Sequence, residues 1–232
     1  MTTFNKKQKI GRIAGTFSKA KEILKEFEVD FCCGGDRLLE VALVKQNIDE
    51  NAIISRLNAE YDKFIASMEK ETNWREASLA DLIQYIEDKH HTFMKQELPV
   101  TDAYLKKILA VHFEENGEML LQLNKMFSAL KAELEEHLIK EEVSLFPLIK
   151  KYEQDPTQEN LDKVFKVMEE TESEHDAAGD ILKAMRKITE GYKVPEDTCP
   201  TFETTYAKIK AIENDLFNHI HLENNVLFDR LK

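Results

Sequence analysis

The sequence is short of the residues that break or staple a chain. Its 232 residues include only 7 glycines and 5 prolines, and runs alternating apolar and polar at every second position are scarce, which argues against a β-rich fold. Three cysteines, an odd number with two adjacent, cannot frame a disulfide-stapled domain. No apolar run approaches the roughly 20 residues of a membrane span, and the N-terminal MTTFNKKQKIGR has no signal-peptide core. The expected location is therefore the cytoplasm, where thiols stay reduced. Basic residues are outnumbered, 32 Lys and Arg against 44 Asp and Glu for a net charge of −12. That balance argues against nucleic acid and anionic membrane surfaces as main partners.

What the chain does have is apolar residues at three- and four-residue steps almost throughout. Helix-period segments fall at roughly 8–27, 36–46, 49–70, 78–97, 101–152, 159–190 and 200–231, so the expected fold is all-α. The stretch SMEKETNWREAS loses the apolar stripe and divides a small N-terminal helical domain, residues 1–70, from a larger one, residues 78–232. Within the larger part, Leu98-Pro99, Asp155-Pro156 and Gly191 through Pro195 act as punctuation. They leave four long helical segments, the number needed for an up-and-down four-helix bundle.

An internal repeat gives this bundle its chemistry. HLIKEEVSLF begins at His137 and HIHLENNVLF at His219, 82 residues later, and both read H-x-x-x-E-x-x-x-L-F. A histidine precedes each copy at a similar interval, His91 by 46 residues and His175 by 44. Residues four apart share a helix face, so His137 with Glu141, and His219 with Glu223, can aim at one point. That face is apolar: the stripe runs Leu130, Leu134, His137, Glu141, Leu145, Leu148, and again Ile212, Leu216, His219, Glu223, Val226, Leu227. His175 sits in the middle of a third stripe, from Leu161 to Leu182.

A single histidine on an apolar stripe is ordinarily a hydrogen-bonded core residue, and a single His-x-x-x-Glu is ordinarily an exposed pair. The duplication in matching order points instead to a metal site. Two buried carboxylates in one core are costly unless something positive compensates them. Four histidines and two glutamates suit borderline metals rather than calcium or magnesium, with non-haem di-iron leading and di-manganese or di-zinc as alternatives.

Taken together the motifs resemble the iron-sulfur cluster repair di-iron proteins, the RIC group, whose larger domain is hemerythrin-like. The resemblance rests on DFCCGG, W-R-x-A, H-x6-L-P, H-x3-E-E-x3-F-P, E-S-E-H-D-x-A-G and H-x3-E-N-N-V-L-F, and so spans nearly the whole chain. It implies two non-haem iron ions, oxo- and carboxylate-bridged, held by His91, His137, Glu141, His175, His219 and Glu223. Periodicity alone would select His90 over His91, because the stripe Leu79, Leu82, Ile83, Ile86, Phe93 centres nearer His90; the spacing to Leu98-Pro99 selects His91. Met94 and His112 are expected to shape a pocket or channel wall, Glu142 to be solvated, and His221 to lie on the surface.

The double cysteine of EVDFCCGGDRLLE is expected as two thiols, since a disulfide between neighbours distorts the peptide between them. Gly34 and Gly35 permit a turn with positive φ, Asp36 is the expected N-cap of a helix starting at Arg37, and the helix N-terminus should lower the thiol pKa values. The alternative is a packed turn in which cysteine serves as a compact apolar residue. The resemblance makes Cys32 and Cys33 candidate thiols for relaying iron or nitric oxide. Nothing ties Cys199 to the site.

The function implied is repair of iron-sulfur clusters damaged by nitrosative or oxidative stress, through iron donation or nitric oxide handling. Iron-sulfur proteins would be the clients and NO or O2 the small ligands, with the chain acting as a monomer or homodimer. The alternatives are a nitric oxide reductase, in which paired metals bring two NO molecules together, and an O2- or NO-binding sensor. Oxygen carriers of the hemerythrin type use a less symmetric, more histidine-rich set, which weakens the carrier reading.

Overall fold

A computed structural model describes residues 4–67, 73–196 and 198–232. Residues 68–72 of the expected boundary lie outside the described residues. Among the described residues the fold is all-α, and the one extended pairing is an isolated bridge between Lys9 and Leu38. The chain divides into two compact units, one of Met1–Ser78 with Phe217–Lys232 and the other of Leu79–Leu216.

In the first unit, α1 (Ile10–Ala14) and α2 (Ser18–Glu26) replace the single helix expected over 8–27. The chain turns at Gly15 to Phe17, which lets Phe17 join the core. α3 (Leu39–Gln46) ends on Asn47 in the left-handed conformation, φ 53°, which asparagine tolerates better than most side chains. α4 (Glu50–Ser67) packs against α2. Their shared core is aromatic: Phe4, Phe17, Tyr61 and Phe64 meet with ring centroids 5.3 to 6.2 Å apart. Such contacts each add about 0.5–1.5 kcal/mol beyond area burial. Phe217, from the C-terminal segment, packs into the same core.

In the second unit α5 (Leu79–Tyr85) passes through a π-helical turn (Ile86–His91) into α6 (Thr92–Val111). α7 (Phe113–Lys140) likewise passes through a π turn (Glu141–Leu145) into α8 (Phe146–Gln154). α9 (Gln158–Ile188) starts on Thr157, whose side chain accepts from the Asn160 N–H, an ordinary N-cap. α10 (Pro200–Leu222) ends in a third π turn (Glu223–Leu227). α6 packs on α7, α9 on α7 and α8, and α5 on α8, burying the leucine stripes read in the sequence.

The expected break at Leu98-Pro99 does not occur, because α6 runs through Pro99. Proline removes the bond to the carbonyl of Lys95, but Pro99 and Lys95 are both exposed, on a side of the helix where a missing bond costs less than in the core. The chain breaks at His112 instead, φ −110° and ψ 30°, with neither glycine nor proline to announce it.

Candidate metal centre

Each ligand candidate stands at a π turn or within a long apolar stripe. Glu141 and Glu223 are the first residues of their π turns, and His91 is the last of its own. A π turn adds one residue to the helical ladder and shifts everything after it by one position on the face; such bulges concentrate at functional sites. His90 and His91 are both buried but face different groups. His90 Nδ1 lies 3.0 Å from Asp215, whereas His91 Nε2 lies 3.3 Å from Glu141 Oε2.

In the second unit four of the expected residues converge. Glu141, with 0% of its side chain exposed, has His91 Nε2 at 3.3 Å, His137 Nε2 at 3.3 Å and His175 Nε2 at 3.9 Å. The Nε2 atoms of His137 and His175 are 3.2 Å apart. In the first unit, the other repeat has the same internal relation: His219 Nε2 is 3.1 Å from Glu223 Oε1, both side chains with 0% exposure. Buried carboxylate oxygens faced by imidazole nitrogens form a donor set suited to a borderline divalent metal.

The far sides of two rings decide which nitrogen is offered. His91 Nδ1 is 2.8 Å from Glu142, and His137 Nδ1 is 2.7 Å from Glu174. A carboxylate at Nδ1 holds the proton there and leaves the Nε2 lone pair directed at Glu141. Lysines complete both arrangements: Lys95 binds Glu142 at 2.6 Å and Lys140 binds Glu174 at 2.7 Å. Partial burial pushes both carboxyls up, but the lysine and histidine hydrogen bonds outweigh it and hold them below the usual carboxylate range.

Glu142 is thus not solvated as expected: it reaches His91 on the neighbouring helix. Glu174 went unnoticed in the sequence although it immediately precedes His175; an acid beside a ligand position is the signal that finds both. Met94 is fully buried. His112 does not line the histidine cluster but faces Cys199, 3.2 Å from its sulfur.

His221 is buried, 1% exposed, rather than on the surface. Its ring meets Phe31 edge-on at 5.8 Å, and burial, reinforced by the charge of Lys21, pulls its pKa down to about 3.

Cys32 and Cys33 are not disulfide-bonded, and their sulfurs lie 3.7 Å apart. Asp30 Oδ1 accepts from the Cys32 thiol at 3.2 Å and from the N–H groups of Cys32 and Gly34. Asp30, Cys32 and Cys33 together offer three atoms within 4.8 Å. The expected lowering of the thiol pKa is reversed at Cys32. Its hydrogen bond to Cys33, its burial and the negative Asp30 all push it up. No helix end offsets them, since α3 begins at Leu39 rather than Arg37, and Asp36 pairs with Lys9 at 2.7 Å instead of capping.

Gly34 and Gly35 do not take positive φ either. Their role is close approach: a Cβ on Gly35 or on Gly11 would collide with the Asn225 side chain. Asn225 Nδ2 donates to the carbonyls of Cys32 (2.9 Å) and Phe31 (3.3 Å), so the cysteine turn is tied to a residue two positions beyond Glu223. Gly35→Ala is therefore expected to destabilise the fold by about 1–3 kcal/mol in urea titration. Gly15→Ala, which meets only ordinary contacts, should stay within about 1 kcal/mol.

Comparison with known proteins matches these features. The Hemerythrin HHE cation binding domain family covers residues 81–231, and ScdA_N, a domain of unknown function, covers residues 6–61. The iron-sulfur cluster repair protein YtfE of Pectobacterium atrosepticum is 34% identical over 223 residues, 96% of either chain. Its counterpart in Cronobacter sakazakii is also 34% identical, over 96% of this chain and 95% of the relative. The probable iron-sulfur cluster repair protein of Haemophilus influenzae is 33% identical over 227 residues, 97% of this chain and 96% of the relative. Among the described residues no helix is long and apolar enough to cross a membrane. The chain belongs to the YtfE family of iron-sulfur cluster repair proteins, with a hemerythrin HHE cation binding domain behind an ScdA_N domain.

Proposed function

We propose that this protein repairs iron-sulfur clusters damaged by nitrosative or oxidative stress, using a non-haem di-iron centre. The observation that carries the reading is Glu141, a carboxylate with no exposure that faces the Nε2 atoms of three histidines. His91, His137, Glu141, His175, His219 and Glu223 are the proposed ligands, Glu141 and Glu223 bridging two iron ions that also share an oxo group. The equal spacing and like geometry of the two His-x-x-x-Glu pairs support a symmetric pair of metals. Bound iron would supply open coordination positions and one-electron chemistry toward nitric oxide or dioxygen. Residues 1–70 and 78–232 are the proposed functional domains, the cytoplasm the proposed location, and iron-sulfur proteins the proposed clients.

The protein's own groups do the rest. Glu142 and Glu174 orient two imidazoles and keep their protons away from the metal side. Cys32 and Cys33 are proposed as relay ligands for iron in transit. A thiol pushed up in pKa stays protonated until a metal displaces its proton, so the pair holds cargo only transiently.

The test is reactivation of a nitric-oxide-damaged iron-sulfur enzyme by the iron-loaded protein under anaerobic conditions. The wild type is expected to restore activity faster than an equal amount of iron salt. Cys32→Ser combined with Cys33→Ser should keep the wild-type iron content yet fall to the iron-salt rate. Loss of iron from that double variant would mean the thiols belong to the centre itself. Catalytic nitrous oxide formation from NO with no cluster protein present, and no reactivation, would replace repair by NO reduction.

A further inference from the structure

Away from the histidine–glutamate cluster, the second unit contains a cysteine and a histidine brought together from positions 87 residues apart. Cys199 immediately precedes Pro200, the first residue of the 23-residue helix α10. Its carbonyl accepts the Phe202 N–H at 2.8 Å. Proline at the first helical position has no N–H, and Cys199 stands just ahead of the positive end of the helix, where the Thr201 and Phe202 N–H groups favour a negative charge on its sulfur. From the junction of α6 and α7, His112 brings Nε2 to 3.2 Å from that sulfur. The imidazole is held by an edge-on contact with Phe202, ring centroids 5.4 Å apart. Cys199 is partly exposed. Nothing in the metal chemistry uses either residue.

We infer that Cys199, with His112 and the first N–H groups of α10 stabilising its thiolate, is a nucleophilic site that exchanges with low-molecular-weight disulfides. In the exchange the Cys199 thiolate attacks one sulfur of the incoming disulfide. A new S–S bond to Cys199 forms as the old one breaks, and the departing thiolate takes a proton from solvent. The disulfide is the oxidant: its departing half is reduced to a thiol while the Cys199 sulfur is oxidised to a mixed disulfide. A second small thiol reverses the step by the same chemistry.

The ionisable side chain facing the sulfur is His112; from α10 itself it meets Thr201 and Phe202. The His112 hydrogen bond, then the Phe202 N–H, lower the thiol pKa to about 7 against the opposing effect of burial. A free cysteine titrates near about 8.5. At neutral pH the larger thiolate fraction outweighs the lower intrinsic nucleophilicity, for a net gain of about threefold. In alkali the order reverses, because the ordinary thiol is then fully ionised and the better nucleophile.

The test is timed reaction of the intact iron-loaded protein with excess glutathione disulfide, and separately with iodoacetamide, each cysteine quantified by peptide mass spectrometry across pH. Cys199 is expected to reach half its maximal iodoacetamide rate near pH 7, and to form the glutathione adduct before the buried Cys32. His112→Gln should move that midpoint above pH 8, slow Cys199 about threefold at pH 7 and speed it in alkali, with helicity and iron content unchanged. The same chain unfolded in urea supplies the ordinary-thiol profile without relying on the variant. A wild-type Cys199 profile that coincides with the unfolded one overturns the inference, as does a midpoint near 7 that His112→Gln leaves in place.

Discussion

Glu141→Leu is expected to leave the protein without bound metal but folded, with a metal-free stability equal to or above that of the metal-free wild type. The carboxylate has no exposure, and its surroundings are the Nε2 atoms of His91, His137 and His175. With a cation present that geometry is favourable. Without one, the buried charge is a burden whose replacement by an apolar residue of similar size is neutral or stabilising by about 1–4 kcal/mol. Leucine also extends the stripe already formed by Leu130, Leu134 and Leu145, all buried. Metal analysis together with urea titration of the chelated proteins checks both halves. Full metal retention by Glu141→Leu would remove the residue from the centre, and collapse of the metal-free variant would mean that its packing had been misjudged.

Glu142→Gln together with Glu174→Gln should weaken metal binding by about 10–100-fold while leaving the fold intact. Each carboxylate engages the Nδ1 of one candidate ligand and a lysine at the surface. An amide keeps the shape but has no charge to favour the proton at Nδ1, so the wrong tautomer gains population and Nε2 is less basic. Competition with a chelator of known affinity measures the change. Because the lysine pairs are partly exposed, their loss alone contributes little to stability, and an unchanged unfolding midpoint in the metal-free proteins separates the two effects. Unaltered affinity would make these carboxylates ordinary partners of Lys95 and Lys140.

The parts of this account legible in the sequence are those governed by local periodicity. Four-residue spacing placed His137 with Glu141 and His219 with Glu223 on shared faces, and the apolar stripes around them announced burial. What periodicity could not convey was the extra residue in each π turn. Ile86–His91 shifts the face by one position, which is why a regular helix favours His90. Tertiary reach was equally hidden: Glu142 lies 100° from its neighbour on its own helix and finds His91 on another. Pro99 misled because proline is a helix breaker only where its missing bond is costly, and here it lies on the exposed side of the helix. Gly35 was read through conformational freedom when its use is room for the Asn225 side chain. His221 and the Cys199–His112 pair depend on contacts between segments far apart in the chain, beyond the range of any local pattern.

The most direct test of the di-iron centre is metal content with an optical spectrum, on protein purified without metal-affinity steps, before and after anaerobic reduction. The account predicts about two irons per chain and near-ultraviolet absorption that bleaches on reduction and changes again on addition of nitric oxide. Zinc at stoichiometric occupancy, or no metal with full helicity, would contradict it and leave the six residues as a scaffold for another chemistry.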